Sequence, residues 1–161
     1  MFSTNCSRVL STLSLLVATG VLSALPARGA ELDYGRCLKT LLELEIATEQ
    51  AVASCGGSRF PEALASCVDE VAEEADLAAA GALAGCERSR RPEEVADCTT
   101  DIYRALNSSA TALDYCSRTL LPERYSACVI DVAEVAELTA DDAMVTCIRA
   151  GYRPWNAAPR L

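Results

Sequence analysis

CGGSRFPEALASC (55–67), CERSRRPEEVADC (86–98) and CSRTLLPERYSAC (116–128) are three versions of one phrase. In each, a cysteine is followed by five residues, then Pro-Glu, then four residues and a second cysteine. The stretches between these phrases also match. They begin CLKTL (37–41), CVDEV (67–71), CTTDI (98–102) and CVIDV (128–132). They end AVASC (51–55), ALAGC (82–86), ALDYC (112–116) and AMVTC (143–147). An offset of 61 carries Cys37, Cys55, Cys67 and Cys86 onto Cys98, Cys116, Cys128 and Cys147 without error, with a looser period of about 30 beneath it. A repeat of this kind is read before any fold is assigned, because it sets the unit of structure.

The repeating segments are helical in composition. Residues 33–55, 61–86, 92–116 and 122–147 are rich in Ala, Leu and Glu, which favour helix, and contain no proline beyond their first position. Apolar residues recur at helical spacing, as in Val68, Val71, Ala72 and Ala75. Pro61, Pro92 and Pro122 each precede Glu. Proline suits the first helical turn because its missing N–H has no partner there, and the carboxylate suits the positive end of the helix dipole. Gly56-Gly57 suits a helix stop. The expected fold is all-α: four antiparallel helices arranged as two tandem disulfide-stapled hairpins, 33–90 and 92–150, in a cysteine-repeat domain over 30–150. The packing is that of a bundle or a short α-solenoid, and a tail, 151–161, follows.

The first 30 residues contain no Asp or Glu. Arg8 precedes an apolar run from Val9 to Leu25, and Ala27-Arg28-Gly29-Ala30 supplies small residues. This is the pattern of a secretory signal over 1–29, cleaved after Gly29 or else after Ala27, and too interrupted for a good membrane span. Removing 1–29 takes away Arg8, Arg28 and no acid, so the net charge falls from −9 to −11. That charge disfavours nucleic acid and anionic membrane surfaces as partners. Cleavage also removes Cys6 and leaves eight of the nine cysteines. An even count in an exported chain signals a disulfide framework, in a periplasmic or extracellular setting or a thylakoid lumen.

If the four helices run unbroken, short turns collect Cys55, Cys67, Cys116 and Cys128 at one end and Cys37, Cys86, Cys98 and Cys147 at the other. Nine of the 105 possible pairings respect this, and two stand out. The preferred one clamps both ends of each hairpin through Cys55–Cys67, Cys37–Cys86, Cys116–Cys128 and Cys98–Cys147. The other staples every turn through Cys55–Cys67, Cys86–Cys98 and Cys116–Cys128 and closes a ring through Cys37–Cys147. The doubly clamped hairpin resembles, in topology alone, the twin Cys-x9-Cys hairpins of mitochondrial intermembrane-space proteins; here 17 or 18 residues separate the cysteines of a segment. The motifs RPEEVADCTTDI (91–102), PEALASCVDEV (61–71) and PERYSACVIDV (122–132) look similar to exported cysteine-repeat proteins of cyanobacteria, a likeness that covers the mature region and implies no activity.

Chemistry-bearing motifs are sparse. The chain has no His, the commonest general base and metal ligand. No Cys-x-x-Cys, zinc-type spacing, phosphate loop or nucleophile elbow occurs. Asp69, Glu70, Glu73, Glu74 and Asp76, like Asp141-Asp142, read as solvated helix faces. Asn107-Ser108-Ser109 reads as a polar face or a weak point in the third helix. Gly81 and Gly85 fit a close helix crossing or a frayed end. No catalytic residue, metal or cofactor is expected. The tail offers Tyr152, Arg153 and Trp155, residue types favoured in interfaces, either as a docking element or as a cap on the last repeat. The expected function is a non-enzymatic exported scaffold that binds an unknown protein. The alternative is a carrier of lipid or another apolar ligand, as small disulfide-rich helical proteins such as saposins are.

Overall fold

The computed structural model describes residues 33–152; the signal-type segment and most of the tail lie outside them. Among the described residues there is no strand, and there are eight α-helices rather than four. They are α1 (Tyr34–Glu43), α2 (Thr48–Gly57), α3 (Pro61–Glu74), α4 (Ala79–Cys86), α5 (Pro92–Leu106), α6 (Ala110–Cys116), α7 (Pro122–Val135) and α8 (Ala140–Cys147). A π-helical turn, Ile148–Tyr152, follows α8. No helix among them is long and apolar enough to cross a membrane.

Each segment expected to be one long helix is instead a hairpin of two short ones. The breaks fall at Glu45, Asp76, Asn107 and Glu137, whose φ angles of 60°, 53°, 54° and 52° are left-handed. At Glu45 the hydrogen bonds are those of a Schellman stop: the Glu45 N–H donates to the Leu42 carbonyl (3.1 Å) and the Ile46 N–H to that of Leu41 (3.0 Å). Ile46 and Leu41 are both buried, which adds the apolar contact that accompanies this motif. Leu138 repeats the bond to Ala133 at 3.2 Å. The second helix then restarts within a few residues. At Thr139 a side chain assists, its hydroxyl accepting from the Asp142 N–H at 3.2 Å.

The fold-back corrects the cysteine pairing. The disulfides are Cys37–Cys55, Cys67–Cys86, Cys98–Cys116 and Cys128–Cys147, with Cα separations of 5.9 to 6.1 Å. None of the preferred pairs, Cys55–Cys67, Cys116–Cys128, Cys37–Cys86 or Cys98–Cys147, forms, and neither do the bonds particular to the other scheme. Those pairings placed the two cysteines of a segment at opposite ends of a rod. A reversal midway brings them side by side. The separations of 18, 19, 18 and 19 follow from where the reversal falls. The first arm is one residue shorter in repeat one, and the second arm is one shorter in repeat three.

The unit of structure is therefore a single-disulfide hairpin, present four times. Its first helices pack in sequence, α1 on α3, α3 on α5 and α5 on α7, and each second helix backs onto its own partner. This sequential stacking is that of a short α-solenoid. The core includes Leu41, Val68, Val71, Val95, Ile102, Tyr125 and Val129 of the first helices, all fully buried, beside all the cysteines but Cys128. Gly85 lets α4 approach α6: a Cβ there would meet the Leu113 side chain at 2.5 Å.

Glutamate in the left-handed region is strained by roughly 1 kcal/mol or more, because its Cβ crowds the backbone. Glycine avoids that crowding but gains entropy when unfolded. Glu137 is exposed. Glu137→Gly should therefore stabilise by about 0.5 to 1 kcal/mol, measured by urea denaturation. Asn107→Gly should gain less, since asparagine already tolerates this conformation.

Candidate partner-binding edge

The connections between repeats run along one edge and share a local design. Ser58, Ser89 and Thr119 each accept, through the side-chain oxygen, the N–H two residues on, at 3.1, 2.9 and 3.3 Å. The next helix then begins at Pro61, Pro92 or Pro122, each followed by Glu in the first turn. This tight turn, an ST-turn running into a proline N1, leaves two residues before each proline facing outward. They are Arg59-Phe60, Arg90-Arg91 and Leu120-Leu121, and all six are exposed. The edge thus presents an aromatic step, a basic step and an aliphatic step in succession.

Grooves lie between these steps. The first, about 540 Å³, is lined by Ser54, Ser58, Phe60, Leu64, Arg90 and Pro92 among others. The second, about 760 Å³, lies between Arg88–Arg91 and Ser117–Pro122. Both are open, with Phe60 47 % and Leu120 55 % exposed at their rims.

Arginines dominate this edge of an acidic chain. Arg88 and Arg118 share the Asp114 carboxylate, at 3.3 and 2.6 Å, and Arg91 pairs with both oxygens of Glu94 at 3.1 Å. The Arg59 guanidinium lies 5.7 Å from the centre of the Phe60 ring. Arg90 has no carboxylate partner among the described residues. The opposite edge, where the hairpins reverse, carries Glu43, Glu45, Glu73, Glu74, Asp76 and Glu137. At the connections the arginines stand beside the exposed apolar groups, interleaved with Glu62, Glu93, Glu94 and Glu123, while Arg104 joins the acids of the reversal edge.

Among the described residues no group of His, Cys, Asp and Glu is arranged to hold a metal ion. The acidic run on α3 is drawn into contacts with α5: Glu74 pairs with Arg104, and burial, with Asp97 and Glu74 nearby, pushes the Glu70 carboxyl above its ordinary range. The eight cysteines singled out in the sequence are all in disulfides, which points to an oxidising compartment. Tyr152 closes the π-helical turn, while Arg153 and Trp155 lie outside the described residues. The pairs before the prolines were not picked out by sequence reasoning, although their place in the repeated phrase marked them.

No family model, curated protein or solved structure matches the chain. The functional reading rests on the edge itself.

Proposed function

We propose that the protein is an exported, non-enzymatic repeat scaffold that binds a partner protein in a periplasmic or extracellular space. Its binding element is the edge formed by the inter-repeat connections. The observation that carries this reading is the exposure of Phe60, Leu120 and Leu121 beside Arg59 and Arg90 along one line of grooves. Arginine and large aromatic groups are the residue types that concentrate binding energy at interfaces. A rigid frame lowers the entropy cost of presenting them. Charge complementarity favours an acidic segment with apolar anchors, since Arg90 is available to a carboxylate and the overall negative charge repels long polyanions.

The test is capture of partners from the envelope extract of the native source, with the intact protein and with Phe60→Ala and Arg90→Glu variants. Both residues are exposed, so the variants should keep the wild-type far-UV circular dichroism. Retention of the partner should fall about 10-fold or more, the change produced by losing one interface anchor. It should also weaken with salt, more for the wild type than for Arg90→Glu. Equal capture by all three proteins would overturn the edge as the binding element. Co-purified lipid with no protein partner would favour the carrier reading instead.

A further inference from the structure

The two ends of the repeat stack expose surfaces that are covered between its repeats. Aligned on their first cysteines, Tyr34 of α1 corresponds to Leu64, Val95 and Tyr125 of the later repeats. Those three are buried, while Tyr34 is 45 % exposed. Aligned on the second cysteines, Val52 corresponds to Leu83, Leu113 and Met144. These are again buried, and Val52 is 52 % exposed. Half-buried Leu38 and, four residues on, Leu42, 40 % exposed, extend the same face along α1. Repeat one thus shows the surface that every later repeat hides against its predecessor.

The other end is open in the complementary sense. Cys37, Cys67 and Cys98 are wholly buried, but Cys128 is only partly so. Leu41, Val71 and Ile102 are wholly buried, but their counterpart Val132 is only partly so. Thr146 is exposed where its counterparts Ser54 and Gly85 are buried and Tyr115 is half-buried; Gly85 lies against Leu113 and Tyr115 against Tyr125 of the following repeat. Repeat four thus shows the surface that every earlier repeat hides against its successor.

Charge agrees with this register. Between α3 and α5, Glu70 interacts with Asp97, Thr100 and Arg104. The corresponding carboxylate of repeat four is Asp131, which is exposed. Carried onto repeat one of another copy, the positions of Asp97, Thr100 and Arg104 are held by Arg36, Lys39 and Glu43. A carboxylate that faces one acid and one cation inside the chain faces two cations and one acid between chains.

We propose that repeat four of one copy docks on repeat one of a second copy, continuing the α1–α3–α5–α7 stack from chain to chain. The contact is head-to-tail and so does not close on itself unless the accumulated rotation forms a ring.

The test uses protein expressed from the full chain and recovered oxidised from an exporting host. Sedimentation velocity over a wide concentration range should show growth beyond a dimer. Val52→Arg blocks one end and Thr146→Arg the other, and both sites are exposed, so each variant should keep its fold by circular dichroism. Each should weaken self-association at least ~10-fold. Mixed together, the two variants should form a one-to-one dimer that grows no further, because each supplies the end the other lacks. A wild-type protein that stays monomeric would overturn the proposal, as would assembly untouched by either substitution. Association that begins only when residues 153–161 are deleted would identify the tail as the occupant of the α7 face and would also overturn it.

Discussion

Reduction of the four disulfides should abolish the cooperative fold. Each bond closes a loop of 18 or 19 residues, and a closed loop of that length stabilises by about 3 kcal/mol by restricting the unfolded chain. Four such bonds contribute on the order of 12 kcal/mol, comparable to the whole stability of an ordinary domain, about 5–15 kcal/mol. The core offers little to replace them. Alanine supplies Ala51, Ala65, Ala75, Ala82, Ala96, Ala112, Ala133 and Ala143 of the buried set, and an alanine buries few apolar atoms. Urea denaturation followed by circular dichroism, with and without a phosphine reductant, should show a sharp transition only in the oxidised protein. Peptide mapping of the same oxidised sample should return the four intra-hairpin links. A reduced protein that still melted cooperatively, or a Cys55–Cys67 peptide, would contradict the structure.

Truncating Tyr125 should be the most damaging single change outside the cysteines. Its side chain is wholly buried at the place where earlier repeats hold Leu64 and Val95. The ring lies 6.3 Å from that of Tyr115, and the hydroxyl donates to the Met144 carbonyl at 3.0 Å. It therefore ties α7 to α6 and α8 at once. Burial, with Tyr115 beside it, pushes the phenol well above its ordinary range, so the group stays neutral and keeps its proton to donate. Tyr125→Ala should cost about 3–5 kcal/mol, as for other large buried rings. Tyr125→Phe should cost only about 1 kcal/mol, because the Met144 carbonyl also accepts the Ile148 N–H. Equal losses for the two variants in urea melts would mean that the hydroxyl, rather than the ring, holds the last repeat.

The helical class, the repeat and the starts at Pro61, Pro92 and Pro122 were legible because each rests on a local rule. The reversals were not. Glu45, Asp76 and Glu137 are neither glycine nor proline, and glutamate is a good helix former, so nothing at those positions alone forbids continuing. At Glu45 and Asp76 what stops the helix is the next residue turning inward: Ile46 is buried and Leu77 packs against the core, whereas Leu138 after Glu137 stays exposed. That is a tertiary gain, and composition does not display it. Two signals were present. Asn107-Ser108-Ser109 marked a weak point, and an acidic residue before Ile46, Leu77 and Leu138 recurred at the looser period. The error-free offset of 61 hid that period, because the one-residue changes in arm length cancel over two repeats. The spacing of 18 compounded this, since it also places two thiols on one face of an unbroken helix. The exposed pairs Arg59-Phe60 and Leu120-Leu121 lay inside the repeated phrase, but they gain meaning only once the connections are known to share an edge.

Every disulfide joins cysteines within one hairpin, and this bears on how the molecule is made. A chain delivered end first into an oxidising space presents Cys37 and Cys55 before any later thiol has arrived. The first thiol to follow Cys37 is its native partner, so each hairpin can be sealed before the next thiol, only 12 residues further on, arrives, and can then serve as the template on which the next one settles. Maturation by this route asks little of an isomerase, since each earlier cysteine is already bonded when the next pair arrives.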